Sequence, residues 1–535
     1  MNKFLFPQLL YCKLLDTASV SQSSEVDELT DRIYDMLLDH ELKNKSAKVK
    51  TTLKTVLLNL YSVHLSDPSL FIKYSRDENF YGNRLRRYVG NSIAYSSFIT
   101  KIIPGLLRLR LIEDHIGFHD RREFGNAYLS RMKAKPKLIR LFELYGIQPW
   151  MLSVSKDKEI IFLKDNKKKF TPYKDTSFTN KAREDLQHIN RHLESAVIDL
   201  DLSDEAMTDL LRKLRRINSG EIDDEEKHLS MFTDKTLSRI FSNSSWKLHG
   251  RFYGGFWQNI PQRKRTIIKG KEVKVPDRYR QYITINGDAT IELDYSSFHP
   301  KMIHDLAGIE MIGDPYEGIG DLDREHGKSI FNKMINAVGK DKAESKEKAI
   351  GAYMNEFNHE GMTKLAATAA LEAVLERHSQ INKYFFSGKG LKLMYYDSQI
   401  ANNVMLRAID EYQTVLLPLH DSFICVREFE DKLRQLMREE YIEVMKSEVS
   451  PKIDMKESEY YLSRNKIVEQ ELYRDEYGDL ADMEINPDPK QKLRRETLEK
   501  QAQLARGEHG IRFEDVFWPE SIEEKYALND EDDRV

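Results

Sequence analysis

The sequence predicts an α+β fold in which two β-hairpins carry aspartates and a cationic helix lies between them. In the first hairpin, β-forming runs flank Asn286-Gly287, the dipeptide that best supports a tight two-residue turn. The second hairpin is the run VLLPLHDSFICV at 415–426, with His420 and Asp421 at its bend. Between the two, residues from Arg324 onward recur with helical spacing. Hairpins and helices in this order predict an antiparallel sheet with helices packed against it.

Asp294 lies near the end of the first hairpin, at a predicted strand-to-helix corner. Ser296 and Ser297 are candidate caps of the helix that follows, and Pro300 is tolerated in its first turn. Such a corner places the Asp294 carboxylate at the lip of the sheet. Taken alone, an aspartate in this position or beside a hairpin bend is more often a cap or turn residue.

Two such hairpins side by side would bring the carboxylates of Asp294 and Asp421 together. Like charges at close range repel each other, so a divalent cation is their natural partner. Mg²⁺ takes one or two carboxylates and completes its shell with water and substrate phosphates, and Mn²⁺ is an alternative ion for such oxygen ligands. The pair therefore predicts a metal site suited to nucleotidyl transfer.

Four polar side chains recur every four residues in the helical segment REHGKSIFNKMIN: Arg324, Lys328, Asn332 and Asn336. Residues at i and i+4 share a helix face, so these four form one stripe. Two cations followed by two amides would suit a nucleoside triphosphate, with its phosphates on Arg324 and Lys328 and its sugar or base beside the amides. The alternative is an ordinary solvated helix surface.

The ordered set resembles the palm and fingers of family-A DNA polymerases and of phage-type single-subunit RNA polymerases. In those families the three elements are motifs A, B and C. They match Asp294, Arg324 with Lys328, and His420 with Asp421. Each motif alone is weak, and the specificity comes from their order.

A further element upstream has the same resemblance. The segment KLHGRFYGGFWQNIP at 247–261 is similar to the GR element of single-subunit RNA polymerases, with Gly250, Arg251 and Tyr253 in the matching places. The similarity covers roughly residues 240–445. It implies a right-hand polymerase palm, an antiparallel sheet with helices, and the short spacing between the motifs implies reduced helical fingers.

The resemblance implies a template-directed nucleotidyltransferase, a nucleic-acid polymerase that uses two metal ions. Asp294 and Asp421 would hold two Mg²⁺ ions roughly 3.5–4 Å apart. Arg324 and Lys328 would neutralise the triphosphate, with Lys328 also a candidate proton donor to pyrophosphate. His420 would brace its hairpin or touch the primer end. The partners implied are a nucleic-acid primer-template and nucleoside triphosphates.

Two departures from the families point in opposite directions on the sugar. Ser422 follows the His-Asp pair where family-A DNA polymerases usually carry Glu, which favours RNA synthesis. His299 is a bulky residue five positions after Asp294, where DNA polymerases commonly exclude the ribose 2′-hydroxyl, which favours deoxynucleotides. Asn332 and Asn336 replace the aromatic residues expected in motif B. DNA synthesis is slightly favoured, and a primase-polymerase role stays open.

Two other function classes fit parts of the pattern. One is a DNA-binding replication initiator or regulator with a degenerate palm, for which the altered motif B is the main support. The other is a metal-dependent nuclease that uses Asp294 and Asp421 with a further acid such as Asp305. The cationic stripe counts against the nuclease.

The composition is compatible with an enzyme that binds polyanions, although it does not by itself indicate one. The 535 residues carry a net charge of −4, but basic residues concentrate in KDNKKKF at 164–170 and in QRKRTIIKGKEVK at 262–274. The second run follows the GR element, so nucleic-acid contacts are expected from Arg251 and, in that run, from Arg263, Lys264 and Arg265. Two cysteines and the lack of a long apolar stretch predict a soluble, cytoplasmic protein without a membrane span.

The chain divides into five predicted regions. Residues 1–90 read as a helical N-terminal region, and 91–175 as a winged-helix-like nucleic-acid-binding module, from a helix, a short strand and a polar bend in that order. Residues 176–235 form a helical connector or thumb-like element, and 236–465 the palm and fingers. Residues 466–535 form a charged, flexible tail, which could carry a docking segment for a protein partner.

Overall fold

The computed structural model has a mixed α+β fold, as the sequence predicts. It describes residues 12–42, 44–66, 68–77, 86–89, 93–117, 129–155, 158–202, 210, 235–260, 265–268, 271–274, 279–456 and 489–507. Among the helices of these residues, none combines the length and the apolar character needed to cross a membrane.

The N-terminal part folds around its own hydrophobic core, which includes Leu53, Ile72 and Phe98. Its sheet has the strand order β1-β3-β5-β4, with β2 and β6 paired separately. The strands are β1 (Cys12–Leu14), β2 (Ser19–Val20), β3 (Phe71–Tyr74), β4 (Ile112–His115), β5 (Ser130–Ala134) and β6 (Ser153–Val154). The helices are α1 (Ser24–Leu38), α2 (Ala47–Ser66), α3 (Arg86–Val89), α4 (Tyr95–Ser97), α5 (Ile103–Arg108) and α6 (Pro136–Leu144), with a π-helical segment (Phe98–Ile102) and a 3₁₀ turn (Pro149–Met151).

This sheet joins the two regions that the sequence divides at residue 90. Strands β1 and β3 come from the first region, and β4 and β5 from the second, and β3 pairs antiparallel with β5. Helix α5 is followed by the antiparallel pair β4 and β5. Residues 118–128, between these strands in the chain, lie outside the described residues, so the winged-helix module and its nucleic-acid binding stay predictions.

The rest of the chain packs around a second, larger core. Its strands are β7 (Ile161–Leu163), β8 (Ile198–Leu200), β9 (Ser238–Ser242), β10 (Ser245–Tyr253), β11 (Arg265–Ile268), β12 (Lys271–Lys274), β13 (Ile283–Ile285), β14 (Asp288–Tyr295), β15 (Leu417–Pro418), β16 (Ser422–Val426) and β17 (Ile453–Lys456). Its helices are α7 (Ser177–Ser195), α8 (Phe256–Asn259), α9 (Phe298–Ala307), α10 (Arg324–Asn336), α11 (Lys342–Glu356), α12 (Lys364–Arg377), α13 (Gly390–Tyr412), α14 (Glu430–Met445) and α15 (Pro489–Arg506). Short 3₁₀ turns lie at Tyr279–Tyr282, Asn358–Glu360, Ser379–Tyr384 and Arg427–Phe429.

The main sheet of this core is antiparallel, with the order β15-β16-β14-β13-β8 and with β17 also paired to β14. The turn between β13 and β14 is Asn286-Gly287, and both residues have positive φ, 54° and 90°. A type I′ hairpin turn requires positive φ at both central positions, which explains why this dipeptide supports it. Along β14, Leu293 and Tyr295 are buried while Asp294 faces the other side.

A smaller sheet of β7, β9 and β10 packs against helix α13. Helix α10 begins at Arg324, as predicted, because the side chain of Asp323 caps it by accepting from the His326 N–H at 2.8 Å. It packs with α11 and α12. Helix α13 leads into the β15–β16 hairpin.

Residues 489–506, predicted as part of a flexible tail, instead form helix α15 against α7 and β8. Leu498 and Ala502 are buried at i and i+4 on its inner face, and Arg494 is buried one turn earlier. The Arg494 guanidinium forms an ion pair with Asp199 on β8, and Nη2 donates to the Leu200 carbonyl at 3.3 Å. This polar anchor inside an apolar face explains why a strongly charged sequence packs here. The other tail residues lie outside the described ranges.

Candidate active site

The structure brings the backbones of the two predicted aspartates together, Asp294 on β14 and Asp421 at the bend directly before β16. Asp294 on β14 pairs in register with Ser422 on β16, and the next residue, Tyr295, donates its N–H to the Asp421 carbonyl at 3.1 Å. Residues paired across antiparallel strands have Cα atoms about 4.5–5.5 Å apart. Asp294 is half-buried and Asp421 is exposed at the hairpin bend. The predicted juxtaposition of the two hairpins is therefore confirmed.

The corner after Asp294 differs from the prediction in how the helix begins. Ser297 adopts the left-handed conformation (φ 51°, ψ 41°), and its side chain makes no capping hydrogen bond to the described backbone. Ser296 instead hydrogen-bonds to Asp454 on β17, so neither serine acts as the predicted cap. The chain turns within these two residues, and the Phe298 ring stacks on Tyr295 with centroids 4.2 Å apart. As a result His299 lies in the first turn of α9, five residues after Asp294.

Arg251, the arginine of the GR element, forms a buried cluster with Asp397 on α13 and His299. Its Nε donates to the two carboxylate oxygens of Asp397 at 3.2 and 3.0 Å, and Nη2 also contacts that carboxylate. His299 Nε2 lies 3.1 Å from Asp397 Oδ2 and 3.3 Å from Arg251 Nη2. The Asp397 side chain is 0% exposed, so its carboxylate is enclosed by the protein.

The charge of Arg251 also links the cluster to the catalytic candidates. Burial opposes its charged form, but attraction to Asp397 outweighs burial and raises the pKa of Arg251, with a further contribution from Asp421. The guanidinium therefore lies within the field of the Asp421 carboxylate. The structure thus brings Arg251 near Asp421, and the nucleic-acid contact expected of Arg251 stays a prediction.

The backbone of β10 is shaped so that Arg251 can reach α13. The strand has bulges around His249 and Gly250, which have positive φ of 68° and 82°. A Cβ at Gly250 would lie 2.8 Å from Ser398 Oγ and 2.9 Å from the Phe241 ring. Only glycine combines that conformation with this close approach to the helix.

His420 lies at the bend of the β15–β16 hairpin with φ of 72°. Its Nδ1 is buried and has no hydrogen-bond partner among the described residues, and its ring contacts Tyr253 at a centroid distance of 5.2 Å. Burial, with repulsion from Arg251, lowers the pKa of His420 to about 4. His249, which contacts the Tyr253 hydroxyl at 2.9 Å, has its pKa lowered to about 4 for the same two reasons. Both rings are therefore neutral near pH 7.

Helix α8 holds the same hairpin from the other side. Trp257 Nε1 and Gln258 Nε2 both donate to the Pro418 carbonyl, at 3.1 and 3.0 Å. Trp257 is fully buried. Residues directly after the GR element thus hold the strand that leads to Asp421. No local sequence pattern predicts this contact between α8 and β15.

The stripe predicted on α10 faces away from the core, because Ile330, Phe331 and Met334 are buried on the other face. Arg324 and Lys328 are exposed. Asn332 is half-buried, and Asn336 is exposed and donates to the Asn332 carbonyl at 2.9 Å. The structure therefore presents all four predicted side chains on one face.

The cationic end of the stripe lies near the aspartates. Arg324 pairs with Asp314 at 2.7 Å, and both Arg324 and Lys328 lie over the Tyr316 ring, at 5.4 and 6.0 Å from its centroid. Burial raises the pKa of the Tyr316 hydroxyl, and the charges of Asp314 and Asp421 raise it further against the opposing charge of Arg324. Tyr316 thus lies between the two cations and the field of Asp421.

A third carboxylate, missed from the sequence, belongs to the same sheet. Asp454 on β17 is the direct cross-strand partner of Asp294, and it pairs with Lys452 at 2.6 Å. Its hydrogen bond to Lys452 lowers the pKa of Asp454. Among the described residues, no group of three or more His, Cys, Asp and Glu side chains is arranged to hold a metal ion. The candidate ligands therefore remain Asp294 and Asp421.

Part of the predicted nucleic-acid contact set lies outside this description. Arg263 and Lys264 are not among the described residues, and Arg265 begins strand β11, which pairs with β12. The β11–β12 hairpin follows α8 in the chain. Contacts from these basic residues stay a prediction.

Comparison with known proteins gives only distant structural likenesses. No protein-family model matches the sequence, and no curated protein matches it significantly. Among solved structures the chain is similar to the POL domain of Pol1 from M. smegmatis, in complex with a DNA primer-template and a dNTP. The identity is 10% and the TM-score 0.28, over 82% of this chain and 66% of that chain. This chain thus spans just under two thirds of the polymerase domain, and the likeness by itself assigns neither fold nor activity.

Proposed function

We propose that this protein is a template-directed nucleotidyltransferase that extends nucleic acid with nucleoside triphosphates. The observation that carries the proposal is the register of β14 and β16, which sets Asp294 beside Asp421. Arg251 lies within the field of Asp421, and so does Tyr316, whose ring lies under Arg324 and Lys328. Paired acids next to exposed cations suit a reaction in which charge on a triphosphate must be neutralised and positioned.

The two carboxylates fit a pair of Mg²⁺ ions, or Mn²⁺, because both present hard oxygen ligands in a place where one is exposed. Asp294 and Asp421 would hold them, with water and substrate phosphates completing the shell. When bound, such ions lower the pKa of an attacking hydroxyl and neutralise the leaving pyrophosphate.

The residues of α10 would bind the triphosphate. Arg324 would exchange its carboxylate partner Asp314 for phosphate oxygens. That exchange is inexpensive because an exposed ion pair contributes only about 0–1 kcal/mol, and Arg324 is exposed. Lys328, one turn further on the same face, would contact the same phosphates and donate a proton to the leaving pyrophosphate. Asn332 and Asn336 would lie beside the sugar or base.

The sugar preference in this proposal rests on His299 and not on Ser422. Ser422 is buried, and its hydroxyl donates to Glu292 Oε1 at 2.9 Å, so it does not face a nucleotide. His299 is held by Asp397 and Arg251 in the first turn of α9, directly after the Asp294 corner. A side chain fixed in that place can exclude a ribose 2′-hydroxyl, which favours DNA synthesis over RNA synthesis.

The test is extension of a labelled primer-template by the purified protein with Mg²⁺, using dNTPs and rNTPs separately. We expect Asp294→Asn and Asp421→Asn each to lower incorporation by about 1,000-fold or more, because each removes several kcal/mol of charge stabilisation. The matched control is Asp410→Asn, since Asp410 is 62% exposed and its ion pair with His188 lies on the surface. His299→Ala should raise the use of rNTPs relative to dNTPs.

Retained incorporation in either palm-acid variant would refute the assignment of the site. A wild-type protein that binds DNA but incorporates nothing on any template would favour the DNA-binding initiator instead. An unchanged rNTP to dNTP ratio in His299→Ala would refute the role of that side chain while leaving the polymerase assignment in place.

A further inference from the structure

Three lysines and two tyrosines form a compact patch at the start of α13, which we name the lysine–tyrosine patch: Lys247, Lys389, Lys392, Tyr395 and Tyr396. Lys392 Nζ lies 4.5 Å from the centroids of both tyrosine rings. Lys247 and Lys389 are exposed, and Lys392 and both rings are half-buried. The patch is therefore open to a ligand.

The patch concentrates positive charge without compensation from the protein. Within the part of the chain that the structure describes, none of its three ammonium groups pairs with a carboxylate. Burial lowers the pKa of Lys392, and repulsion from Lys247 and Lys389 lowers it further. Three cations held this close are unfavourable in isolation, and an anion that contacts all three would relieve the repulsion.

The position of the patch connects it to the candidate active site. Lys389 is eight residues before Asp397 on the same chain segment, a distance of about 12 Å along a helix. A nucleic-acid strand advances by about 3.4 Å per nucleotide in a duplex. The patch is therefore within about four nucleotides of the Arg251–Asp397 cluster.

The patch also continues the stripe on α10. A Cβ at Gly390, the first residue of α13, would overlap Asn336 Oδ1, the last member of that stripe. The polar face that begins at Arg324 therefore runs along α10 and meets α13 between Lys389 and Lys392. Lys247 approaches from β10, four residues before Arg251.

We infer that the lysine–tyrosine patch binds the phosphate backbone of a single nucleic-acid strand that leads to the active site. This inference rests on the proposed function and identifies part of its substrate path. Lysines interleaved with partly exposed aromatic rings are typical of single-strand tracks, where cations follow the backbone and rings stack on bases. The N-terminal end of α13 adds its positive dipole to the same place.

The experiment measures binding of a fluorescent single-stranded oligonucleotide by anisotropy, across a series of salt concentrations. The variant Lys247→Gln/Lys389→Gln/Lys392→Gln should bind about tenfold more weakly or worse. Its slope of log affinity against log salt should be smaller in magnitude by about 2, since each phosphate contact to a single strand contributes about 0.7. The corresponding triple Lys→Arg variant should restore both values.

The matched control removes the same charge elsewhere. Lys346→Gln/Lys364→Gln/Lys446→Gln changes three lysines that already pair with Glu372, Glu347 and Glu443. It should leave the salt slope unchanged. Thermal unfolding of each variant checks that the fold is intact, and a repeat with a duplex of equal length tests the choice of a single strand.

Three outcomes separate this inference from the proposed function. A patch variant with wild-type affinity and slope would overturn the inference, even if the wild-type protein incorporates nucleotides. A loss confined to duplex DNA would overturn the single-strand assignment. Patch-dependent binding by a wild-type protein that incorporates nothing would support the patch while the polymerase assignment fails.

Discussion

Replacing Asp397 by Asn should destabilise the larger core of the protein more than any exposed charge substitution. The change keeps the shape of the side chain but removes the negative charge that Arg251 and His299 contact. Arg251 would then keep its positive charge in a buried place without its counter-charge. Desolvating a charge that lacks a partner is among the largest penalties a single substitution can cause.

The magnitude follows from the burial of the three groups. Removing one partner of a buried ion pair costs about 3–5 kcal/mol, against about 0–1 kcal/mol for an exposed pair. The Asp397 side chain is 0% exposed, and Arg251 and His299 are 14% and 16% exposed. Because Arg251 keeps some contact with water, we expect the lower part of that range, about 3–4 kcal/mol.

The assay is urea unfolding followed by tryptophan fluorescence, because Trp257 is buried in the same core. A double-mutant cycle with Arg251→Gln measures the pair directly. The double variant should be about 1–3 kcal/mol more stable than the sum of the single losses predicts, since neither charge is then left alone. The control Glu347→Gln removes a carboxylate that is 61% exposed, and it should cost under about 1 kcal/mol. A loss of under about 1 kcal/mol in Asp397→Asn, or strictly additive single losses, would refute the reasoning.

Two further predictions concern acid sensitivity and the C-terminal helix. In the folded protein the pKa values of His249 and His420 are about 4, below the ordinary 6.5. As the pH falls from about 6.5 to about 4, the unfolded chain therefore binds protons at these histidines that the folded chain does not bind. Each histidine should therefore remove about 3 kcal/mol of folding stability over that pH interval. In the His420→Gln variant, the urea midpoint should fall less steeply as the pH is lowered. A decline as steep as that of the wild type would contradict the conclusion that His420 is buried in its neutral form. Arg494→Met removes a guanidinium that is 4% exposed and pairs with Asp199. This variant should unfold at a lower temperature, and its helix α15 should be cleaved faster by a protease. The control Arg495→Met, at a side chain that is 49% exposed, should show neither change, and equal behaviour of the two variants would contradict the role of Arg494.

The elements that the sequence predicts well are those specified by neighbouring residues. The Asn286-Gly287 turn, the start of the helix at Arg324 and the hairpin around His420 depend on signals within a few positions. The helix stripe is equally local, because its exposure follows from the helical repeat. Each of these features is present in the structure where the sequence places it.

The features that the sequence does not predict depend on distant pairs. Arg251 and Asp397 are 146 positions apart, and nothing in the amphipathic pattern of α13 marks Asp397 as a buried partner. Asp454 becomes a neighbour of Asp294 only through the pairing of β17 with β14. Arg494 looks like one more charge in a polar tail until Asp199 supplies its partner. Charged residues in such pairs carry no hydrophobic pattern, so periodicity does not reveal them.

Helix α13 carries the distant partner of Arg251 and also anchors the strand before it. The cation of Arg239 on β9 is buried, and burial lowers its pKa only to about 10, so it stays charged at neutral pH. Its Nε donates to the Gly250 carbonyl at 3.0 Å while Nη1 donates to Asn402 on α13 at 3.2 Å.

Arg239 thus ties the glycine bulge of β10 to the helix, and the residue after that bulge is Arg251. The same helix carries Asp397 in its interior and Lys392 near its start. Helix α13 therefore contacts Arg251, which lies in the field of Asp421, and begins in the lysine–tyrosine patch. A substitution that shifts α13 would move both places together. Under the proposed function, the same helix would position a strand bound at the patch relative to Asp294 and Asp421.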